Sequence, residues 1–520
     1  MSQIVYRANL SSAFFPFVSE YQGRTVIVAG QDNNFNRTLQ SSADSDKDIG
    51  IPQLYYCHNV LPNGNGLQSV GYEQRVGGPG IGVMQQIFTI REDSSGSKGY
   101  MVQAFDGFRV VQDEAVGYLG VLNKFWNGAG FVSPFVPGPG SVSLAHVSGI
   151  TYICISGNGI FKYNFSLNRL ELVPISGLDI TKIVGITESN GYLVAYSASA
   201  VAWSSTIDPT DFIPSLQTGA GGGSVEGIKG QITCASPTLN GFTIFTQVNA
   251  ISVLYTGNSR YPFQFSECTG AGGVASLERV TYEADSGYNY VYTSKGFQVI
   301  QPKSAQTVFA DLTDFLAGQY FEDFDEATQK FVYTTLTSPM GKKLTLIAAR
   351  YLIVSYGISA LTHCIVYDTV QKRFGKLKIP HVDCFEYELL TENVSDVPKK
   401  AIAFLQVDGT LVVVNFALSF TNRNGVAMLG KYQYVRSRRL QLQTADIENP
   451  TVGGKMSCAL ITSFDGKNAD LTTAGQVLRA GRNVTTYGFG SPVGINHSIF
   501  VQGCFNLAVI ELAFNVHGRM

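Results

Sequence analysis

The stretch Gly191-Tyr192-Leu193-Val194-Ala195-Tyr196-Ser197, continued by Ala200-Val201-Ala202-Trp203, recurs as Gly241-Phe242-Thr243-Ile244-Phe245-Thr246, continued by Ala250-Ile251-Ser252-Val253. Each copy reads as a glycine, an aromatic, alternating apolar residues, a polar turn and a second apolar run. Period-two alternation selects strands over helices. Three more copies share the pattern. One runs from Gly99-Tyr100-Met101-Val102 into Ala104 to Val110. One runs from Gly149-Ile150-Thr151-Tyr152 to Gly157-Asn158-Gly159-Ile160-Phe161. The third is Gly287-Tyr288-Asn289-Tyr290-Val291-Tyr292-Thr293 with Gly296-Phe297-Gln298-Val299. The starts at Gly99, Gly149, Gly191, Gly241 and Gly287 lie 50, 42, 50 and 46 residues apart. A propeller blade of four strands needs roughly 40–50 residues.

Two weaker units follow. One begins at Lys330-Phe331-Val332-Tyr333 and carries an insertion near 339–360. The other is Ala401-Ile402-Ala403-Phe404 with Asp408-Gly409-Thr410-Leu411-Val412-Val413. A second recurring element is Tyr163-Asn164 before Arg169-Leu170, matched by Tyr367-Asp368 before Arg373-Phe374. It reads as strand, turn and returning strand, with the Asx side chain capping the turn. The expected fold is therefore all-β: a β-propeller of about seven four-stranded blades over 79–420, with an N-terminal extension at 1–78 and a C-terminal β-sandwich-like domain at 421–520. The extension reads as Asn/Ser/Asp-rich loop at Gln31 to Lys47 and as Gly-rich connector at Pro62-Asn63-Gly64-Asn65-Gly66. The segment from Phe420 to Gly425 reads as a polar linker, and Asp465-Gly466 as a hairpin turn.

Composition narrows the class. Of 520 residues, 45% are hydrophobic, 12% aromatic and only 15% charged, for a net charge of −2. Globular chains carry about 25% charged residues, so the surface is either buried against other subunits or built from Ser, Thr, Asn and Gln. The 55 glycines suit many tight turns. No apolar run reaches the length of a membrane span. The start Met1-Ser2-Gln3-Ile4-Val5-Tyr6-Arg7 lacks the charged and apolar regions of a secretory signal, so folding in a reducing cytoplasm is expected. The eight cysteines stand singly, without a CxxC pair or a zinc spacing, and read as buried small hydrophobes.

A search for chemistry yields little. The six histidines make no HExxH or HxH spacing, and Asn496-His497 reads as a turn. Gly219-Ala220-Gly221-Gly222-Gly223-Ser224 lacks the Lys-Ser/Thr pair of a phosphate loop and reads as a flexible loop between blades, as do Gly77-Gly78-Pro79-Gly80 and Pro137-Gly138-Pro139-Gly140. Glu322-Asp323-Phe324-Asp325-Glu326 reads as a solvated acidic loop rather than a carboxylate pair. No catalytic residue, metal ligand set or cofactor is expected, and the chain is not expected to be an enzyme. Arg436-Ser437-Arg438-Arg439 is the one dense basic cluster. On a strand, Arg436 and Arg438 share a face and Arg439 takes the other. That arrangement suits a phosphate contact or an ion pair between subunits, weighed against a plain solvated strand face. The overall charge argues against tight nucleic-acid binding.

The succession Val201-Ala202-Trp203-Ser204-Ser205-Thr206-Ile207-Asp208-Pro209-Thr210-Asp211-Phe212, Thr218-Gly219-Ala220-Gly221-Gly222, Tyr255-Thr256-Gly257-Asn258, Pro262-Phe263-Gln264-Phe265 and Gly270-Ala271-Gly272-Gly273-Val274 resembles virion proteins of tailed bacteriophages, especially the tail nozzle or DNA-stabilisation proteins of short-tailed phages. The segment from Tyr367-Asp368 to Arg373-Phe374-Gly375-Lys376-Leu377 is similar to a strand-turn-strand of those propellers, with Phe374 where Trp is common. The resemblance covers roughly 190–380. It implies a homo-oligomeric ring, commonly a hexamer, below the portal and adaptor. Such a ring continues the DNA channel without sequence-specific binding and anchors fibres or a needle. It implies a place in the virion tail after synthesis in the host bacterial cytoplasm, and it carries no catalytic residues. Two other readings stand beside it. A host-surface glycan-binding module would show exposed aromatics with polar partners on one face. A hydrolase would gather channel carboxylates with perturbed pKa values.

Overall fold

Tyr192–Tyr196 and Gly241–Thr246 are buried at every position, on both faces. A strand buried on both faces is the middle of a sheet that is itself covered on both sides; in the copy Tyr288–Thr293 only alternate residues are fully buried. In the computed structural model, side chains are described for residues 57–63, 66–79, 83–132, 141–284, 286–310, 312–313, 350–357, 360–388, 400–416, 425–427 and 501–507, and further strands by their backbone pairing alone. The glycine that opens the motif has positive φ where first strand turns into second at Gly149, Gly191, Gly241 and Gly287, while Gly99 lies within Ser97–Ala104. Gly191 has φ +84, and a Cβ on Gly241, at φ +140, would stand 1.9 Å from the Val253 carbonyl. That is why glycine recurs there.

Each repeat is an antiparallel four-stranded sheet. Gly185–Ser189, Tyr192–Tyr196, Ala200–Trp203 and Gly221–Ser224 pair in that order, as do Ile232–Thr238, Gly241–Thr246, Ala250–Tyr255 and Phe263–Glu267. Val280–Glu283, Tyr288–Thr293, Gly296–Gln301 and Ser304–Thr307 form another sheet, and Lys343–Ile347, Tyr351–Tyr356, Leu361–Asp368 and Arg373–His381 a further one. Upstream, Met84–Glu92, Ser97–Ala104 and Gly107–Val111 precede Val142–Val147, Ile150–Ile155, Gly159–Asn164 and Arg169–Leu172, the two groups joined by the pair Ile150 and Glu92. The repeat motif thus marks second and third strands, the most buried hairpin of each sheet.

The sheets form a circuit. First strands touch in succession, Val142–Val147 against Gly185–Ser189, then Ile232–Thr238, Val280–Glu283, Lys343–Ile347 and Asp383–Glu388, which returns to Met84–Glu92. Apolar clusters fill the spaces between neighbours. Phe88, Phe108, Ile153 and Phe161 share one; Val194, Phe242, Ile244 and Val253 another; Cys234, Phe245, Val291 and Ile300 a third. Each fully buried Ile, Val or Phe side chain contributes about 1.5–3 kcal/mol. This is a β-propeller.

The last sheet is closed from the far end of the chain. Asp383–Glu388, Lys400–Leu405 and Leu411–Asn415 receive Gly71–Val76 as their outer strand. Just before it, Val60–Asn63 and Gly66–Ser69 form a hairpin on the edge of Arg373–His381. Pro62, Asn63 and Gly66, read as part of a Gly-rich connector, are therefore strand residues, because the edge of that sheet offers unpaired backbone groups that a hairpin satisfies; 64–65 lie outside the described residues. Gln53–His58 joins Gly425–Tyr432, Asn496–Gly503 and Met456–Ser463 in one C-terminal sheet, and Gln3–Ala8 joins Val509–Arg519, Arg438–Asn449 and Gly481–Thr486 in another. The two sheets touch, giving the sandwich-like C-terminal part.

Four local expectations need correction. Lys330–Thr335 pairs with Tyr320–Asp325 as a separate two-stranded sheet, and the blade begins instead at Lys343. The acidic run at 322–325 lies in that strand, not a loop; its alternation with Tyr320, Phe321 and Phe324 suits pairing. Gly221–Ser224 is an outer strand, tolerated because a Cβ at Gly222 would strike the Val201 carbonyl at 2.8 Å. His497 lies within the strand Asn496–Gly503, not in a turn. The segments 31–47, 137–140 and 465–466, and the linker at 420–424, lie outside the described residues.

Asn59 holds the hairpin onto the propeller. It is buried, has φ +52, and its Oδ1 accepts hydrogen bonds from the Tyr72 hydroxyl at 2.6 Å and the Lys378 N–H at 2.9 Å. Asn59→Ala is expected to cost about 2–4 kcal/mol, from two lost bonds and a strained left-handed alanine. Asn59→Gly is expected to recover about 1 kcal/mol of that by relieving the backbone. Urea denaturation midpoints of the two variants check the order, and equal losses would sink the backbone part of the account.

Candidate functional site

Arg436, Arg438 and Arg439 do not form a described site. Arg438 and Arg439 open the strand Arg438–Asn449, with Arg438 across from Arg519 of Val509–Arg519, and Arg436 lies outside the described residues.

Titratable side chains gather instead where the first strands of successive sheets end. First strands lie side by side in one direction: the Ile186 N–H donates to Ser143 Oγ at 2.9 Å, and the His146 N–H donates to Glu188 Oε2 at 2.9 Å. Glu92, Glu188, Glu283 and Glu388 therefore come to the same end of the propeller. Around Glu188 stand His146, Asp93 and Arg91. The His146 ring has Nε2 3.2 Å from Asp93 Oδ2 and Nδ1 3.2 Å from Thr151 Oγ1. Thr151 Oγ1 also accepts the Arg91 N–H at 3.0 Å. Burial pushes the Glu188 carboxyl above its ordinary value, against the opposing pull of the His146 N–H, the His146 ring and Arg91.

The remaining carboxylates of this end are bound by basic partners or hydroxyls. Glu386 and Glu388 take Lys400 at 2.6 and 3.3 Å, and Glu388 also meets Lys98 at 3.8 Å. The Tyr100 hydroxyl donates to the Glu388 carbonyl at 2.7 Å, and burial raises its pKa. Ser286 donates to Glu283 at 2.5 Å. Lys98 and Tyr100 tie Glu388 to the adjoining sheet, whereas the Lys400 and Ser286 contacts hold strands of one sheet together. Among the described residues, no three His, Cys, Asp or Glu side chains converge as a metal site. Sequence reading passed over these carboxylates because they are distant along the chain. The available signal was positional: Glu188 stands three residues before Gly191 and Glu283 four before Gly287.

A second cluster joins Cys364, Ser355 and His381, all buried. His381 Nε2 lies 2.9 Å from Ser355 Oγ and 3.6 Å from Cys364 Sγ, which is 3.4 Å from Ser355 Oγ. The His381 ring packs on Phe404 at 4.9 Å. The trio resembles a nucleophile with its base, but burial pushes the Cys364 thiol up to about 12. The thiolate is the nucleophile, so at neutral pH this group is a packed thiol. All seven described cysteines are buried and unbridged, as small hydrophobes.

No protein-family model and no curated protein matches this chain. Solved structures do. The extracellular domain of a hybrid two-component system from B. thetaiotaomicron is 12% identical with a TM-score of 0.39; the match covers 84% of this chain and spans 59% of that one. The WD40 β-propeller domain of Doa1 is 9% identical with a TM-score of 0.33, covering 67% of this chain and 98% of that one. BBS1N, solved in complex with ARL6DN, is 9% identical with a TM-score of 0.30, covering 70% and 99%. At these scores the likenesses carry no argument about function; the propeller is read from the strand pairing itself.

Glu188 gives the site a pH signature. Its folded-state pKa is raised, so the folded chain keeps that proton to a higher pH than the unfolded chain does. Its contribution therefore favours folding below the ordinary carboxyl pKa and is lost as pH rises through the folded value. Glu188→Gln keeps an acceptor for the His146 N–H and removes the charge. The variant is expected to melt higher than the parent at pH 7, with the gap closing by about pH 4. A lower melting temperature at pH 7 would contradict burial as the dominant influence on Glu188.

Proposed function

We propose that this chain is a structural subunit of a bacteriophage tail, a ring-forming nozzle or tail-tube component that extends the DNA channel and anchors other tail parts. It acts in the virion tail and performs no catalysis. The observation that supports this best is the pairing of a rigid, interlocked body with apolar side chains exposed at its hairpin tips. Strands from both ends of the sequence are hydrogen-bonded into the same sheets, Gly71–Val76 closing the propeller and Asn506–Leu507 pairing with Gly66–Ser69. Such a body keeps its shape under load, while Phe105, Ile207, Leu216, Leu239 and Tyr261 stand out on turns that ordinarily carry polar residues. A chain with only 15% charged residues suits burial of its surface against neighbouring subunits. We further infer seven blades: the circuit of first strands runs through Met84–Glu92, Val142–Val147, Gly185–Ser189, Ile232–Thr238, Val280–Glu283, Lys343–Ile347 and Asp383–Glu388.

Native mass spectrometry and negative-stain electron microscopy of the purified chain test the reading. Closed rings of one defined order are the expected result. A chain that stays monomeric at micromolar concentration and is absent from purified virions would overturn it.

One observation favours a second reading, a module binding host-surface glycan. Trp126, on Phe125–Trp126, is half-buried beneath the Arg169 guanidinium, 4.6 Å from the ring centroid, with exposed Phe131 at 5.4 Å and Glu171 on the Arg169 head at 2.7 Å. Glycan-array binding that disappears in Trp126→Ala is the result expected of that reading. Binding unchanged by the substitution removes it.

A further inference from the structure

Two of the propeller's hairpin tips share one tripeptide pattern. Phe105-Asp106-Gly107 links Ser97–Ala104 to Gly107–Val111, and Val407-Asp408-Gly409 links Lys400–Leu405 to Leu411–Asn415. Both glycines have positive φ, and a Cβ on either would collide, with the Leu122 carbonyl at 2.8 Å or with Pro79 at 2.5 Å. The tips are held together through Val83 and Met84: the Phe105 N–H donates to the Val83 carbonyl at 3.2 Å, and the Met84 N–H to the Val407 carbonyl at 3.2 Å. Tyr118 fixes the second tip by donating to the Gly409 carbonyl at 2.5 Å. Yet Phe105 is 67% exposed and Val83 and Val407 are each 55% exposed. Asp106 beside them is gripped by Arg109 at 2.7 and 2.8 Å, and Asp408 accepts from Thr410. This is a preorganised apolar patch with carboxylates at its border.

A different patch lies on other sheets. Leu239 links first to second strand of the sheet that begins at Ile232, and Arg260-Tyr261 links its third to fourth. The first patch sits on links from second to third strand. In an antiparallel sheet those two kinds of link lie at opposite ends, so the patches are on opposite ends of the propeller. Leu239 is 70% and Tyr261 63% exposed. The Arg260 guanidinium lies 5.5 Å from the Tyr261 ring centroid, and Thr256 donates to the Tyr261 carbonyl, fixing the turn. Beneath it, Tyr255, Phe263, Tyr192 and Trp203 pack ring against ring, with Tyr192 and Phe263 at 5.4 Å and Trp203 and Phe263 at 5.2 Å. The second patch is aromatic, basic and rigidly backed.

Scattered exposed apolar residues are ordinary. Here they stand on hydrogen-bonded turns, and the two groups differ in charge: Asp106 and Asp408 border the first, while Arg260 stands in the second, at the end of the propeller that also carries Glu188 and Glu283. The two patches are unlike, so neither suits a two-fold contact with itself. An unlike pair on one molecule defines a head-to-tail contact, which closes into a ring or runs into a filament. We infer that these patches are the two halves of a contact between copies of this chain, with the tips at Phe105 and Val407 of one copy seated against Leu239 and the Arg260–Tyr261 tip of the next. The inference rests on the ring-subunit reading above and names its interface.

Phe105→Asp disables one half and Tyr261→Asp the other, both at exposed tips, with circular dichroism and thermal melts confirming the fold. Sedimentation velocity is expected to show each variant alone as monomer, its self-association weakened roughly tenfold or more. Mixed in equal amounts, the variants are expected to form a dimer and nothing larger, because each retains the half that its partner needs. Val407→Ser with Arg260→Glu repeats the design with milder changes. Variants that assemble like the parent, or a mixture that yields no dimer, overturn the interface and leave the ring reading standing. A parent chain that is monomeric throughout overturns both.

Discussion

Closure of the circuit is the constraint on which the rest of the structure depends. The sheet containing Asp383–Glu388, Lys400–Leu405 and Leu411–Asn415 takes its outer strand from Gly71–Val76, so that Asn415 Nδ2 reaches Glu73 Oε2 across 342 residues of sequence. Without that strand, Leu411–Asn415 would be an open edge with unpaired backbone groups. The core between the last sheet and the first, with Val76, Tyr100, Tyr387, Ala403 and Leu411, would also lose one wall. The loop-closure entropy of such a long span grows only slowly with length. The larger consequence is kinetic, since pairing across this distance raises contact order and slows folding.

Closure also explains the polar chemistry of the first strands. A strand nearest the axis has one edge facing no partner strand, and its N–H groups need acceptors. Side chains of the adjoining sheet supply them. Ser143 accepts from the Ile186 N–H, Glu188 from the His146 N–H, and Asp383 from the Ile87 N–H at 2.9 Å. Further out, Ser236 donates to Asn289 at 2.6 Å between two more sheets. The carboxylates that draw attention as candidate chemistry are therefore already engaged in holding sheet to sheet. The upward shift at Glu188 comes from burial against the pull of those partners, and on its own it does not indicate catalysis.

Much of this was legible in the sequence, and the reason is the repeat. A second and third strand joined by a tight turn are buried on both faces, so their residues are the most constrained and recur visibly at Gly191 and Gly241. The Asx turns were equally readable: Asn164 Oδ1 accepts the Leu167 N–H at 2.9 Å, and Asp368 Oδ1 the Val370 and Gln371 N–H groups at 3.0 Å. First and fourth strands were harder. They are short, half-exposed and polar, so Gly221–Ser224 looked like a loop and Lys330–Thr335 like a blade. The roles of Val60–Asn63 and Gly71–Val76 had no local signal, because a strand that pairs with a partner hundreds of residues away looks in sequence like any other short strand. The Glu at the end of successive first strands was visible but unremarked, since its meaning lies in the stacking of sheets.

The same logic bears on the hairpin tips. A turn of the Asp-Gly kind fixes backbone geometry and leaves the residue before it free to vary, because that side chain points to solvent. At Phe105 and Val407 that free position holds a large apolar residue, while the turn beneath is tightened by glycine, by Tyr118 and by the Arg109–Asp106 pair. An isolated monomer gains nothing from a rigidly displayed phenylalanine, since ordering it costs entropy and water is displaced from nothing. Rigidity of an exposed apolar group lowers the cost of burying it in a later contact. The propeller that closes on itself through Gly71–Val76 thus has two kinds of surface: sheet faces consumed by the circuit, and tips whose apolar side chains stand exposed on tightened turns.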